Sequence, residues 1–539
     1  MSSFDDFGIP HADMSNMSRR SVLVGSALGV GMAASPLWAM GNVDEAAPHA
    51  QTRQGAVRGA RENDVCAFKG LPYGAPTDGD RRFRAPALPQ SWQGIRDATT
   101  FGDRCPQLTA PPTAAFSSWT EPEGESEDCL KLNIWTPAPD SGRRPVMVWF
   151  HGGGVSVGSG SINVYDGGNL ARKGDVVVVT VNHRLNVFGY LYLGEGEDAP
   201  ANVGQLDLVA SLQWVRDNIA AFGGDPENVM IFGESGGGSK VAALMHMPAA
   251  SGLFHKAALQ SGFGTVVQSP DEARAIATAL CQELGVEPGD LRALRALSYS
   301  QLLKALQSAA GGHPMRGPSI VADGQVLPVR PFDKRFPAQS AHIPLLVGHT
   351  ASETTVLFPP EGAFSFSWEE AAAALASQFA DPAALIAGFR ALDPEKSPSQ
   401  IYFAITTEAG MGRGARNVQD LAAGRDGANV FAYLLAWKTP VEGGRLGSPH
   451  SLDLPLVFDT VASSPSILGE YPRAPQRVAD AMSGAWLAFA RHGSPNAPGL
   501  TEWPPYRPGQ HMTMIFDTES RAVEDPLGPA QRLIDGAVH

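Results

Sequence analysis

Val229-Met230-Ile231-Phe232-Gly233-Glu234-Ser235-Gly236-Gly237-Gly238 is the stretch on which the reading of this chain turns. Its first four residues are apolar and read as a buried strand. A glycine-flanked turn then carries Ser235, and residues 239–247 read as a helix. Strand, G-x-S-x-G turn and helix together make a nucleophile elbow. The glycines have a mechanical reason. A serine on so sharp a turn needs strained backbone angles, and side chains at Gly233 and Gly237 would collide with the neighbouring strand and helix. With 59 glycines in 539 residues the bare motif is weak, so its weight comes from the flanking strand and helix. The turn lifts the Ser235 hydroxyl clear, leaves the Gly236 N–H beside it, and aims the positive end of the helix where an oxyanion would form.

Outward from the elbow, the chain alternates buried strands and helices. Residues 145–150 form an apolar strand that runs into His151-Gly152-Gly153-Gly154, and residues 175–182 form another of the kind covered on both faces. Residues 206–222 have helical spacing. Strands follow at 256–261, 344–347, 429–437 and 512–517, with largely helical stretches at 270–306 and 368–392 and a long amphipathic helix at 474–492. Before the elbow, short strands in a hairpin are expected over 51–69, irregular chain over 71–92 and a strand over 130–135. This pattern predicts an α/β-hydrolase fold, a mainly parallel central sheet flanked by helices, with helical insertions. No linker separates autonomous units, so 41–539 reads as a single domain.

A serine nucleophile needs a base within hydrogen-bond reach and a third group to orient that base. In this fold the chain order is Ser, then Asp or Glu, then His. The late histidines are His450, His492, His511 and His539. His539 is terminal, His492 suits a helix cap and His511 precedes a late strand as an exposed side chain. His450 lies in a loop leading into apolar chain, where a catalytic histidine belongs. Glu353 follows the 344–347 strand and is the candidate acid; Asp323 and Asp333 are rivals by order but sit in Pro-rich connecting chain. The glycines after His151 form an HGGG-type motif whose N–H groups supply the second side of an oxyanion hole.

The N-terminus carries Ser18-Arg19-Arg20-Ser21-Val22-Leu23, a twin-arginine pattern, then a modestly apolar Gly/Ala-rich run. Residues 1–40 are read as an export signal, which implies a periplasmic or secreted protein exported by the twin-arginine route. The net charge of −14 argues against nucleic acid or an anionic membrane as partner. Four cysteines, Cys66, Cys105, Cys129 and Cys281, allow three pairings, and sequence alone does not choose. Cys105 and Cys129 flank a loop that a bridge would close with an entropy gain, whereas Cys66 and Cys281 read as buried free thiols. None has the spacing of a zinc site.

These residues resemble the type-B carboxylesterase family, which includes cholinesterases and bacterial para-nitrobenzyl esterases. The most specific likeness lies in Glu127-Asp128-Cys129-Leu130-Lys131-Leu132-Asn133-Ile134-Trp135 and in the run from Phe222-Gly223-Gly224-Asp225-Pro226 to Ser235-Gly236-Gly237. The resemblance implies Ser235 as nucleophile, Glu353 as acid and His450 as base, with the oxyanion hole on Gly153, Gly154 and Gly236. It implies a Cys105–Cys129 disulfide, Glu234 as a carboxylate lining the substrate site and Ser261 as a supporting hydroxyl. Gly236 stands where alanine is usual, which implies a looser N–H there. Trp119 takes a position resembling the choline-binding tryptophan of cholinesterases; a loop aromatic covering apolar surface is the commoner use and the preferred reading.

The expected function is therefore that of a serine carboxylesterase, cleaving small-molecule carboxylic esters through an acyl-enzyme without metal or organic cofactor. No stable membrane association is expected. A specialised exported hydrolase for a xenobiotic, toxin or choline ester is an alternative. A non-catalytic binding protein on the same fold is another, though such a protein would be expected to lose the serine or histidine.

Overall fold

Val177–Val181 is a strand buried along its whole length, as its unbroken run of β-branched residues predicts. It belongs to the central sheet of a computed structural model that describes residues 47–537 apart from 110–112, 123, 195, 265–266, 312, 314–315, 358, 428 and 471–472. The export signal expected at 1–40 lies outside the described residues.

The strands are β1 (His49–Gln51), β2 (Ala56–Arg58), β3 (Ala60–Glu62), β4 (Val65–Pro72), β5 (Ile95–Asp97), β6 (Lys131–Thr136) and β7 (Arg144–Phe150). They continue with β8 (Val177–Val181), β9 (Gly224–Glu234), β10 (Lys256–Gln260), β11 (Leu345–Thr350), β12 (Val430–Leu435), β13 (Thr513–Phe516) and β14 (Arg521–Val523). Eleven of them form one sheet in the order β14-β13-β12-β11-β10-β9-β7-β8-β6-β4-β3, and β1, β2 and β5 form a small second sheet. From β8 to β13 all neighbours are parallel; β14 at one edge and β6, β4 and β3 at the other run antiparallel. With its flanking helices, this is the mainly parallel α/β sheet that the alternation predicts.

Side chains alternate across the sheet. Val146, Val148, Val229 and Ile231 join one core, and Met147, Trp149, Met230 and Phe232 join the core on the other face. The second core is closed by the helix Arg473–His492, which buries Val478, Met482, Ala485, Trp486 and Phe489 along one stripe. The larger of these, such as Val478, Met482 and Phe489, each contribute about 1.5–3 kcal/mol when taken from water. The strand order turns at β7: the chain passes from β7 to β8 on one side and returns to β9 on the other. In open α/β sheets such a reversal opens a crevice at the carboxyl ends of the strands.

The helical expectations need adjustment in length. The 206–222 helix is Val203–Asn218 followed by a 3-10 turn Ile219–Phe222. Residues 270–306 contain three helices, Pro270–Leu284, Leu291–Ala296 and Tyr299–Ala309. The first ends at Gly285 with φ 64°, a left-handed cap that glycine takes without strain. The 368–392 stretch breaks after Leu375 and restarts at Pro382, capped by the Asp381 side chain. Pro398–Thr407, the π-turn Glu408–Gly412, Arg413–Ala423 and the last helix Gly528–Ala537 have no counterpart in the sequence reading.

Among the described residues the four cysteines are buried free thiols. The expected Cys105–Cys129 bridge is therefore not formed here. The two thiols are nevertheless neighbours: burial pushes the Cys105 thiol well up, and a hydrogen bond with Cys129 adds to it.

Candidate active site

Ser235 sits between the end of β9 and the helix Gly236–His246 at φ 56° and ψ −122°, a strained conformation for a residue with a side chain. The surroundings enforce it. A Cβ at Gly233 would lie 2.4 Å from the Gly237 carbonyl carbon, and one at Gly237 would lie 2.0 Å from the Phe150 oxygen. The Ser235 N–H donates to the Gln260 carbonyl at 2.8 Å, so the elbow is tied to the end of β10. Ser235 itself is half-buried, in contrast to the buried Glu234 and Gly236 on either side.

The loop after β7 runs beside this turn. Gly153 and Gly154 have φ 77° and 62°, and the Gly153 carbonyl accepts from the Ser156 and Val157 N–H groups, which folds the loop back on itself. A Cβ on Gly236 would fall 2.1 Å from the Gly154 oxygen and 2.3 Å from its Cα. The glycine at 236 is thus occupied by close approach of the loop, a different consequence from the looser N–H that the resemblance implied.

Glu353 and His450 come from loops after β11 and β12. An isolated β-bridge between Ser352 and Pro449, with the Ser352 N–H donating to the Ser448 carbonyl at 2.8 Å, pins the two loops side by side. His450 Nδ1 then donates to Glu353 Oε2. The other carboxylate oxygen accepts from Ser261 Oγ at 2.5 Å and from the Thr350 N–H at 2.8 Å. Burial alone would raise the Glu353 carboxyl, but the His450 charge and these hydrogen bonds outweigh it and hold it below its ordinary value. Burial would lower His450, and the Glu234 and Glu353 carboxylates reverse that and push it up.

His450 Nε2 faces the elbow, 3.1 Å from Oε1 of Glu234, the residue preceding Ser235. Among the described residues no hydrogen bond joins the Ser235 hydroxyl to the ring, whose two nitrogens face Glu353 and Glu234. Glu234 also accepts from Ser451 Oγ at 2.8 Å, and burial pushes its carboxyl up. Behind it lies Asp453, which accepts from Gln260 Nε2 and the Tyr433 hydroxyl, each at 2.9 Å; burial pushes it up to about 6. The roles of Ser451, Gln260 and Tyr433 left no signal in the sequence, because each acts across 20 or more residues of chain.

The rival residues lie elsewhere. His492 is exposed at its helix end, and Asp323 caps a turn through the Val326 and Leu327 N–H groups. His511, expected to be exposed, is half-buried among Arg416, Asp420 and Asp525. Trp119 stacks on Phe116 with ring centres 4.7 Å apart and donates its Nε1 to Ser464 Oγ at 3.1 Å. Among the described residues no group of three or more His, Cys, Asp or Glu side chains is arranged to hold a metal ion, and no helix is long and apolar enough to cross a membrane.

A mainly parallel sheet with a serine on a strained strand–helix turn at its carboxyl edge defines an α/β-hydrolase. Within that class the chain belongs to the carboxylesterase family, whose family model matches residues 46–531. It is similar to a para-nitrobenzyl esterase of Bacillus subtilis (strain 168), 37% identical over 483 residues that cover 88% of this chain and 96% of the relative. It is similar to a fumonisin B1 esterase of Sphingopyxis macrogoltabida, 35% identical and covering 86% of this chain and 85% of that one. Among solved structures it resembles a Geobacillus stearothermophilus carboxylesterase with a TM-score of 0.79 and 36% identity, over 90% of this chain and 99% of the other. The protein is a carboxylic ester hydrolase acting on small-molecule esters.

Proposed function

We propose that Ser235, His450 and Glu353 form the catalytic triad of this esterase, with Gly153, Gly154 and Gly236 as the oxyanion hole. The observation that carries the reading is that one buried imidazole binds Glu353 through Nδ1 and presents Nε2 to the elbow. In the reaction His450 takes the Ser235 proton as the oxygen attacks the ester carbonyl, and Glu353 holds the ring and its developing charge. The negative charge collects on the carbonyl oxygen, where the glycine N–H groups lie. The alcohol leaves with the proton from His450, and a water activated by the same ring cleaves the acyl-serine. Glu234 lines the site beside the reacting serine.

The test is labelling with a serine-directed phosphonate followed by peptide mass spectrometry. The expected outcome is modification of Ser235 alone, and a Ser235→Ala variant slower by about 10⁴-fold or more. Full activity in the purified alanine variant would sink the assignment.

The substrate is proposed to be a neutral ester, because Trp119 is engaged in stacking and a hydrogen bond to Ser464. Competing kcat/KM values for a short neutral ester and its choline counterpart decide this, and a clear choline preference would reverse it. The twin-arginine segment supports export to the periplasm or medium, where the neighbouring Cys105 and Cys129 thiols would oxidise to a bridge. Replacing Arg19 and Arg20 by Lys should retain the enzyme in the cytoplasm with all its thiols titratable; unchanged export would refute this.

A further inference from the structure

Lys240 is a lysine with no exposed surface, one turn into the elbow helix. Its Nζ donates to the His151 carbonyl at 2.9 Å. That carbonyl belongs to the residue that opens the His151–Gly154 loop. The loop and the helix touch along one face: Gly236 abuts Gly154, Gly237 abuts Phe150 and His151, and Lys240 follows four residues after Gly236 on the same side.

The peptide chemistry links Lys240 to the proposed oxyanion donors. His151 Nδ1 lies 2.9 Å from the Gly152 carbonyl, and since a carbonyl only accepts, this nitrogen carries the proton. Gly152 C=O and Gly153 N–H are the two ends of one planar trans peptide and point in opposite directions. Fixing the carbonyl from below therefore fixes where the Gly153 N–H aims. The ring that does so is packed against His183, with centroids 4.8 Å apart, and its main chain is held by Lys240.

The arrangement is costly for packing alone. His151 Nε2 and both ring nitrogens of His183 have no hydrogen-bond partner among the described residues, and burial pushes both rings well below their ordinary range. Burial pushes the Lys240 amine down to about 7, and the neutral amine keeps N–H donors for the same carbonyl. An amine withdrawn from water for one carbonyl acceptor costs stability that an apolar side chain would not. Sequences that break the packing rule in this way usually do so at functional sites.

We propose that Lys240 is a positioning residue for the oxyanion hole, holding the His151 carbonyl so that the Gly153 and Gly154 N–H groups stay in register with Gly236. This rests on the proposed role of those glycines and on Ser235 as nucleophile. The role belongs to the transition state, since the ground-state carbonyl asks less of these donors than the oxyanion does.

The test is Lys240→Met, which keeps the apolar stem and removes the donor, assayed with a short p-nitrophenyl ester and with an aryl trifluoromethyl ketone that forms a hemiketal on the serine. The expected result is a kcat lower by roughly 10- to 100-fold, KM within about twofold, and ketone affinity weakened by a factor similar to that in kcat. Lys240→Gln, which restores an N–H donor, should recover part of both. Folded Lys240→Met with unchanged kcat and ketone affinity overturns the proposal, as does a loss carried by KM alone. If the methionine variant does not fold, the glutamine variant decides by the same two readouts. Failure of both to fold assigns Lys240 to stability and also overturns it. Ser235→Ala in the same assay separates the two readings: if it stays active the triad itself is wrong, and if it is inactive beside a fully active Lys240→Met, only the role of Lys240 falls.

Discussion

Glu234 Oε1 lies 3.1 Å from His450 Nε2, while the opposite ring nitrogen is bound by Glu353, so one buried imidazole is held between two carboxylates. Both carboxylates push the imidazole up, against the burial that would lower it. The residue next to the proposed nucleophile thereby sets the basicity of the proposed base.

That arrangement predicts the pH profile of Glu234→Gln. A general base works only when neutral, so kcat/KM falls as pH drops through the His450 value. Glu234 raises that value; removing its charge lowers it, and the acid limb should move to lower pH. A limb that stays in place or moves upward would show that Glu234 does not act on the ring.

Gly236→Ala is expected to damage turnover. The new Cβ would sit 2.1 Å from the Gly154 oxygen, so the loop bearing Gly153 and Gly154 must retreat. A displacement of this size should lower kcat by about 10- to 100-fold with little change in KM, because the proposed oxyanion contact is made in the transition state. An alanine variant as active as the parent would show that the loop yields without cost.

Asp207→Ala is expected to affect stability. Asp207 is fully buried and takes two hydrogen bonds from the Arg184 guanidinium, at 2.6 and 2.8 Å, beside the His183 that packs on His151. Removing one partner of such a pair leaves a buried charge and should cost about 3–5 kcal/mol in urea unfolding. A loss under about 1 kcal/mol would mean that water or another acceptor replaces the carboxylate.

What the sequence by itself determined were the features written within a few residues of one another. The elbow, the HGGG loop and the buried strands follow from glycine placement and apolar runs, and their order along the chain sufficed for the fold class. The sequence reading assigns nothing between 392 and 429, where the chain forms Pro398–Thr407 and Arg413–Ala423 and stays helical across the two glycines of Glu408–Gly412 through a π-turn, with Gln531 binding the Glu408 side chain from far along the chain. Only the tertiary structure decided that Ser352 and Pro449 bridge, that Ser451 and His450 converge on Glu234, and that Lys240 reaches the His151 carbonyl. Periodicity reports which face of an element is apolar, but these contacts join single polar groups, side-chain or backbone, across segments separated by tens to hundreds of residues. They depend on sheet order and register, which no local pattern encodes.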